Sequence, residues 1–238
     1  MNHLKLVFEE DFSKQTSLNL ANWTIDVGSH GGGNNEAQYY TPDMHNLSFK
    51  DGALQFEARK EKYKNREYTS GKILSRGKQE WQYGRFEIVA KLPTGKGTWP
   101  AIWTLGVVQH GEGWPEMGEI DIMEMIGHNQ DVIHFSLHSK KYNHKINTQP
   151  TYFTKIPHVS DEFKTYILEW DEEKIAFLVD DQHMATFFKK DYADSWPFDK
   201  PHYLILNLAL GGGWGGAIDD SILPQSMAVK SIRVFQKD

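Results

Sequence analysis

The stretch TYILEWDEEKIAFLVDDQHMATFF, residues 165–188, contains three short apolar runs separated by clusters of acidic residues. Runs of six or seven residues, rich in β-branched and aromatic side chains and bounded by short polar turns, are typical of β-strands. The stretch therefore predicts a strand, a turn, a second strand, a tight turn at Asp180 and Asp181, and a third strand.

Further strand-like segments occur along the chain. Residues 85–92, RFEIVAKL, place apolar side chains on one face at alternate positions, namely Phe86, Ile88, Ala90 and Leu92. Further predicted features are strands at 202–210 and 229–235, a short helical turn between 191 and 201, and glycine-rich breaks at 31–33 and 211–216. Many short strands with regular turns predict an all-β protein, and we expect one β-sandwich domain over residues 1–238.

The composition narrows the classes of function. The chain contains no cysteine, which excludes disulfides, thiolate chemistry and Cys-ligated metals. The net charge of -6, with both signs interspersed, argues against a nucleic-acid partner and favours a neutral substrate over a polyanion. No apolar run approaches the roughly 20 residues of a membrane-spanning helix, and the N-terminus lacks the layout of a signal peptide. The eight tryptophans suit either a core or flat platforms for ligands with an apolar face, such as sugars.

Residues 114–127, WPEMGEIDIMEMIG, place three carboxylates within one apolar, strand-like segment. Buried carboxylates are costly unless they are paired or functional. On a regular strand, Glu119 and Asp121 share one face and Glu124 points to the other, into the core. One extra residue near 122–123, a β-bulge, would return Glu124 to the face of Glu119 and Asp121.

Such a trio suits glycoside hydrolysis. The long Glu side chains can bring the two outer carboxyls to the separation of about 5–5.5 Å that is typical of a retaining glycosidase pair. Asp121 can orient Glu119, and we hypothesise an ionised Glu119 and a protonated Glu124 in the resting state. The spacing alone leaves two alternatives open, namely a Ca²⁺ or Mg²⁺ site and a plain acidic cluster.

The segment GEIDIMEMIG, residues 118–127, resembles the signature of glycoside hydrolase family 16 in its bulged, laminarinase-like form. Further similar segments, in family order, are 34–46 (NNEAQYYTPDMHN), 83–106 (YGRFEIVAKLPTGKGTWPAIWTLG) and 201–216 (PHYLILNLALGGGWGG). The resemblance covers roughly residues 8–236. It implies a β-jelly roll of two curved antiparallel sheets with a substrate cleft on the concave face. It also implies retaining hydrolysis, with Glu119 as nucleophile, Asp121 as assisting carboxylate and Glu124 as general acid/base.

The resemblance also implies substrate contacts. The candidates are Asn35, Glu36, Arg76, Trp99, Trp103, Trp114, His138 and Trp214. Trp114 would stack near the cleavage point, and His138 would touch the site near Glu124. Each candidate has a structural alternative: a tryptophan can belong to the core, and Asn35 and Glu36 can satisfy a glycine-rich turn. His134 and His138 could ligate zinc, but a packed, hydrogen-bonded histidine is the simpler reading because no third ligand is evident.

The expected substrate is a β-glucan. The five-residue step from Glu119 to Glu124 favours an endo-1,3-β-glucanase, a laminarinase, over regular mixed-linkage glucanases. Mixed-linkage 1,3-1,4-glucan, agar, carrageenan and a non-catalytic lectin-like module remain as alternatives. We expect a monomer that acts on polysaccharide outside the cell, with no required cofactor and no catalytic metal. Many family members bind a structural Ca²⁺ through an Asp near the last strand; here Lys230 occupies that place, and an ammonium cannot ligate a cation.

Overall fold

The computed structural model describes residues 4–237, and the secondary structure there is almost entirely β. The strands are β1 (Leu4–Asp11), β2 (Thr24–Ile25), β3 (Gln38–Tyr40), β4 (Leu47–Lys50), β5 (Ala53–Ala58), β6 (Tyr68–Ser70), β7 (Lys72–Leu74), β8 (Gly84–Lys91), β9 (Thr98–Gly106), β10 (Glu119–Glu124), β11 (Val132–His138), β12 (Thr151–Lys155), β13 (Lys164–Trp170), β14 (Lys174–Val179), β15 (Gln182–Phe188), β16 (His202–Leu210) and β17 (Gln225–Lys237). One helical turn, α1, spans Gly212–Gly215. Short 3₁₀ helices occupy Phe12–Lys14, Gly31–Gly33, His144–Ile146, Lys189–Asp191, Ala193–Ser195 and Asp220–Ile222.

Two antiparallel sheets form a sandwich. The eight-stranded sheet has the order β15-β14-β13-β8-β17-β5-β4, and β1 also pairs with β17. The seven-stranded sheet has the order β12-β11-β10-β9-β16-β7-β2. A small parallel ribbon joins β3 to β6. These sheets confirm the predicted all-β sandwich.

The core lies between the two sheets because alternate residues of each strand point inward. On β8 the inward residues are those predicted, and Phe86, Ile88 and Ala90 are buried in one cluster with residues of the seven-stranded sheet. On β16 the leucines at 204, 206, 208 and 210 enter the same cluster. The residues between them, including Asn207, therefore lie on the face of the seven-stranded sheet that points away from the core. We call this face the outer face.

The strand boundaries agree closely with the periodicity of the sequence. The predicted strands at 174–179, 182–188 and 202–210 match β14, β15 and β16, and the helical turn predicted between 191 and 201 appears as the 3₁₀ helix Ala193–Ser195. The last strand is longer than predicted, because β17 continues on both sides of a register shift between Val229 and Ser231. Within residues 4–237, every helix is too short or too polar to cross a bilayer.

Candidate active site

A β-bulge in β10 sets the geometry of the site. Opposite β9, Asp121 pairs with Trp103 and Glu124 pairs with Ala101, so three steps on β10 face two on β9. The pairing with β11 shows the same one-residue shift. The extra residue falls within 122–123, where both side chains are completely buried. This confirms the predicted bulge, which returns Glu124 to the face of Asp121.

Cross-strand pairing arranges the outer face around β10 in three rows, each named here after its carboxylate. The Glu119 row contains His138, Glu119, Leu105 and Tyr203. The Asp121 row contains Thr151, Ser136, Asp121, Trp103 and Ile205. The Glu124 row contains Phe153, His134, Glu124, Ala101 and Asn207.

Two tryptophans donate hydrogen bonds to the carboxyl groups of Glu119 and Glu124. The indole Nε1 of Trp114 donates a hydrogen bond of 2.8 Å to Glu119 Oε2. The indole Nε1 of Trp99 donates one of 3.0 Å to Glu124 Oε1. Hydrogen bonds of this length are directional, so each bond fixes the orientation of its carboxyl group. Both tryptophans were predicted to be substrate platforms, but these contacts with the carboxylates did not follow from the sequence.

The rings of these two tryptophans are less open than a platform requires. Trp99 is only 8% exposed and packs edge-on against Trp214, with 5.3 Å between ring centroids. The Trp114 ring lies 4.9 Å from the His144 ring and 4.7 Å from the Lys145 ammonium. The geometry therefore favours positioning of the carboxylates over stacking for both side chains.

His138 lies near Asp121 and Glu119, and not near Glu124 as predicted. Its Nε2 lies 3.1 Å from Asp121 Oδ2 and 3.7 Å from Glu119 Oε1. The expectation that it touches the site near Glu124 is wrong, because the antiparallel register pairs it with Glu119 and places His134 opposite Glu124.

Burial dominates the electrostatics of the trio. It raises the pKa of Glu119 to about 8, and the neighbouring charge of Asp121 adds to this effect. It raises the pKa of Glu124 to about 7, with the charge of Glu119 as the next cause. The pKa of Asp121 is raised well above its usual value, first by burial and then by the charge of Glu124. The hypothesised resting state, with Glu119 ionised and Glu124 protonated, does not follow from these pKa values alone, since burial raises both of them.

Trp103 starts a buried polar network on the outer face. Its Nε1 donates a hydrogen bond of 2.7 Å to Asn207 Oδ1, and Asn207 Nδ2 donates one of 3.0 Å to the Tyr40 hydroxyl. The Lys72 ammonium lies 5.7 Å from the Trp103 ring centroid. Strand periodicity alone could have placed Asn207 on this face, whereas Tyr40 and Lys72 come from distant segments.

Glu36 joins the same network. Only 6% of it is exposed, and its Oε2 accepts hydrogen bonds from Gln38 Nε2 at 2.8 Å and from the Tyr40 hydroxyl at 3.4 Å. Its charge also contributes to the raised pKa of Glu124, which places it within electrostatic range of the trio. Asn35 beside it is exposed and adopts a left-handed backbone with φ of 59°, as is common for Asn in a turn.

The last two predicted contacts lie at opposite ends of the outer face. Trp214, on α1, packs edge-on against His134 with 4.9 Å between ring centroids and so borders the Glu124 row. Arg76 is exposed and lies 5.8 Å from the ring centroid of Tyr203, in the Glu119 row.

One group of three potential metal ligands exists among residues 4–237, and it is formed by Glu119, Asp121 and His138. Their ligand atoms lie within 4.8 Å of one another. His134 takes no part in this group and stacks on Phe153, so the zinc pair considered from the sequence does not form.

Comparison with known proteins places the chain in a family. The sequence model of the glycosyl hydrolases family 16 matches residues 34–223. A β-glucanase of Rhodothermus marinus is 43% identical over 98% of this chain and 86% of its own length. The chain therefore belongs to glycoside hydrolase family 16.

Solved structures agree with this assignment. The laminarinase of Rhodothermus marinus superposes with a TM-score of 0.95 at 42% identity, over 99% of this chain and 98% of its own. A variant of SCLam, a non-specific endo-β-1,3(4)-glucanase of the same family, superposes with a TM-score of 0.93 at 39% identity, over 98% of this chain and 95% of its own. The sandwich is thus the β-jelly roll of the family.

Proposed function

We propose that this chain is a retaining endo-β-1,3-glucanase that cleaves laminarin-type glucan by double displacement. One observation carries the proposal: the β10 bulge puts Glu119 and Glu124 on one face, and each carboxylate accepts a hydrogen bond from its own indole. A pair of carboxylates that flanks the scissile bond is the apparatus of glycoside hydrolysis, and membership of family 16 supports the retaining course.

In the first step, Glu119 attacks the anomeric carbon as the glycosidic bond breaks, and Glu124 gives its proton to the departing oxygen. In the second step, Glu124 takes a proton from water, the water oxygen attacks the anomeric carbon, and Glu119 is released.

Asp121 accounts for the ionisation state that the first step needs. It is 1% exposed, and burial favours its neutral form. A proton on Asp121 removes the negative charge that raises the pKa of Glu119. The indole of Trp114 then stabilises the ionised Glu119, and the remaining proton of the pair resides on Glu124.

Mixed-linkage 1,3-1,4-glucan is the second candidate substrate. It is favoured by the similarity to SCLam, which is described as a non-specific endo-β-1,3(4)-glucanase. The outer face offers both a polar network at Asn207 and aromatic side chains, which could accept either linkage.

The remaining parts of the proposal concern the protein as a whole. We propose that residues 1–238 act as one catalytic domain, as a monomer, on polysaccharide outside the cell. The relatives named as β-glucanase and laminarinase support a polysaccharide substrate.

We further propose that the chain needs no structural calcium. Lys230 lies at the register shift of β17, and its ammonium sits 4.7 Å from the ring centroid of Phe163. The side chain at this position offers no oxygen to a cation, so the ligand set that the family resemblance implies does not fit.

The function is tested by product analysis on laminarin and on barley mixed-linkage glucan, with Glu119→Gln as the inactive control. Rapid release of short oligosaccharides from laminarin, absent in the variant, is the expected result. A preference for barley glucan would change the assigned linkage, and release from neither polymer would refute the proposed activity.

A further inference from the structure

Phe153 is an unusually exposed aromatic residue. It lies in β12, at the edge of the seven-stranded sheet, and 62% of it is exposed. Edge strands are normally protected by charged side chains or proline, since exposed apolar edges invite aggregation. Its neighbour Tyr152 points the other way and stacks on the core residue Phe135, with 6.5 Å between ring centroids.

The register places Phe153 on the catalytic face. Phe153 pairs with His134, and His134 pairs with Glu124, so the three side chains share the Glu124 row. Two strand spacings, about 9–10 Å, separate Phe153 from Glu124. A glycan held at Glu124 would therefore reach Phe153 if it continued across the sheet towards β12.

The Phe153 ring is held in place by other aromatic groups. It stacks on His134, with ring centroids 5.3 Å apart and an interplanar angle of 29°. His134 contacts Trp214, and Trp214 contacts Trp99, whose indole binds Glu124. Burial lowers the pKa of His134, which keeps its ring neutral at pH 7. The result is a continuous chain of aromatic contacts from the Glu124 carboxylate to the edge of the sheet, in which Phe153 is the exposed member.

We propose that Phe153, supported by His134, forms a glycan-binding subsite for the departing part of the β-glucan chain. The departing chain begins at the oxygen that Glu124 protonates. At the other end of the Glu124 row, Asn207 is only 6% exposed and is bonded to Trp103 and Tyr40, so the exposed Phe153 marks the open end of the row. Sugars present apolar C–H faces that pack on flat aromatic rings, and Phe153 offers such a ring to solvent. This inference rests on the proposed function.

The test compares two substrates in the wild type and in Phe153→Ala. An aryl β-laminaribioside has a single ring as its leaving group and does not reach Phe153, whereas laminarin does. We expect a roughly tenfold fall in kcat/KM on laminarin, mainly through KM, and an unchanged rate on the aryl glycoside. Phe153→Tyr should keep the wild-type values on both substrates.

Phe188→Ala is the matched control. Phe188 is also an exposed phenylalanine on an edge strand, but β15 belongs to the other sheet. Phe188→Ala should leave kcat/KM unchanged on both laminarin and the aryl glycoside. If Phe153→Ala lowered kcat/KM equally on both substrates, or did not lower it on laminarin, the proposed subsite would be wrong.

Two further measurements test the Phe153 subsite separately from the proposed glucanase activity. In the Glu119→Gln background, Phe153→Ala should weaken retention in a laminarin affinity gel, and this readout is independent of turnover. Unchanged retention would overturn the subsite even if the wild type is active. Because an acceptor sugar occupies the leaving-group side, the yield of transglycosylation products should also fall in Phe153→Ala; an unchanged yield would overturn the assignment to that side.

Discussion

Strands β10 and β16 flank the same strand, β9, but pair with it differently. β16 pairs with β9 at nine successive positions without a register shift, and its residues alternate strictly between core and outer face. β10 pairs with β9 through a shift of one residue between Asp121 and Met123. The regular strand supplies the floor of the site, and the irregular strand supplies its reactive groups. Given the five-residue step from Glu119 to Glu124, the bulge therefore decides whether Glu124 points into the core or towards substrate.

The largest effect is expected from the carboxylate that the bulge brings to the outer face. Glu124→Gln keeps the size of the side chain but has no proton to give to the departing oxygen, so we expect activity on laminarin to fall below detection. Met123→Leu, which keeps the residue count and nearly the volume at the bulge, should cost less than about 1.5 kcal/mol and retain activity. Substantial turnover in Glu124→Gln would contradict the role given to the carboxylate that the bulge presents.

A smaller effect is expected from removing the two indole donors. Trp99→Phe and Trp114→Phe each delete a hydrogen bond to a carboxylate, and bonds of this kind contribute about 1.5–3 kcal/mol. We expect kcat on laminarin to fall roughly 10–100-fold in each variant. Trp103→Phe is the matched comparison, since its indole bonds to Asn207 and not to a carboxylate. Its effect should appear mainly in KM, and equal kcat losses in all three variants would contradict the distinction.

The cost of burying the carboxylates should appear as a pH-dependent stability. Because the pKa values of the three carboxyls are raised in the folded state, the folded trio binds protons that the unfolded chain releases near the ordinary values of 3.8 and 4.5. The stability of the folded protein is thus highest at acidic pH and falls as the pH rises towards 8.

Glu119→Gln does not titrate, so its melting temperature relative to the wild type should rise between pH 5 and pH 8.5, by roughly 5 °C or more. Thermal melts at the two pH values measure this difference. The exposed residue Glu172 provides the control, and Glu172→Gln should show no such trend. A difference that is constant with pH would contradict the electrostatic account of the buried trio.

The smallest effect is expected from metal removal. With Lys230 at the position where the family resemblance implies a calcium ligand, we expect a chelator to leave the melting temperature unchanged. Thermal melts with and without chelator, and with added Ca²⁺, measure this. A melting temperature that falls with chelator and recovers with Ca²⁺ would show that another ligand set binds the ion.

Much of this architecture follows from local sequence. Alternation of apolar residues marks β8, and apolar runs bounded by polar turns mark β14, β15 and β16, almost to the residue. The bulge also follows, since the alternative would bury Glu124 without a partner.

The contacts between segments do not follow from local sequence. The indole bonds of Trp99 and Trp114, and the network from Trp103 to Glu36 through Asn207 and Tyr40, depend on register and on loop paths. The error over His138 has the same origin. A histidine on the neighbouring strand was predictable, but the carboxylate it faces depends on the antiparallel register.

The anomeric configuration of azide-rescue products tests the central claim most directly. In Glu119→Ala, azide should fill the space of the missing nucleophile and give an α-glycosyl azide in one displacement. In Glu124→Ala, azide should attack the glycosyl-enzyme and give the β-azide. Opposite anomers from the two variants are the predicted result, and the same anomer from both would contradict the assignment of Glu119 as nucleophile and Glu124 as general acid/base.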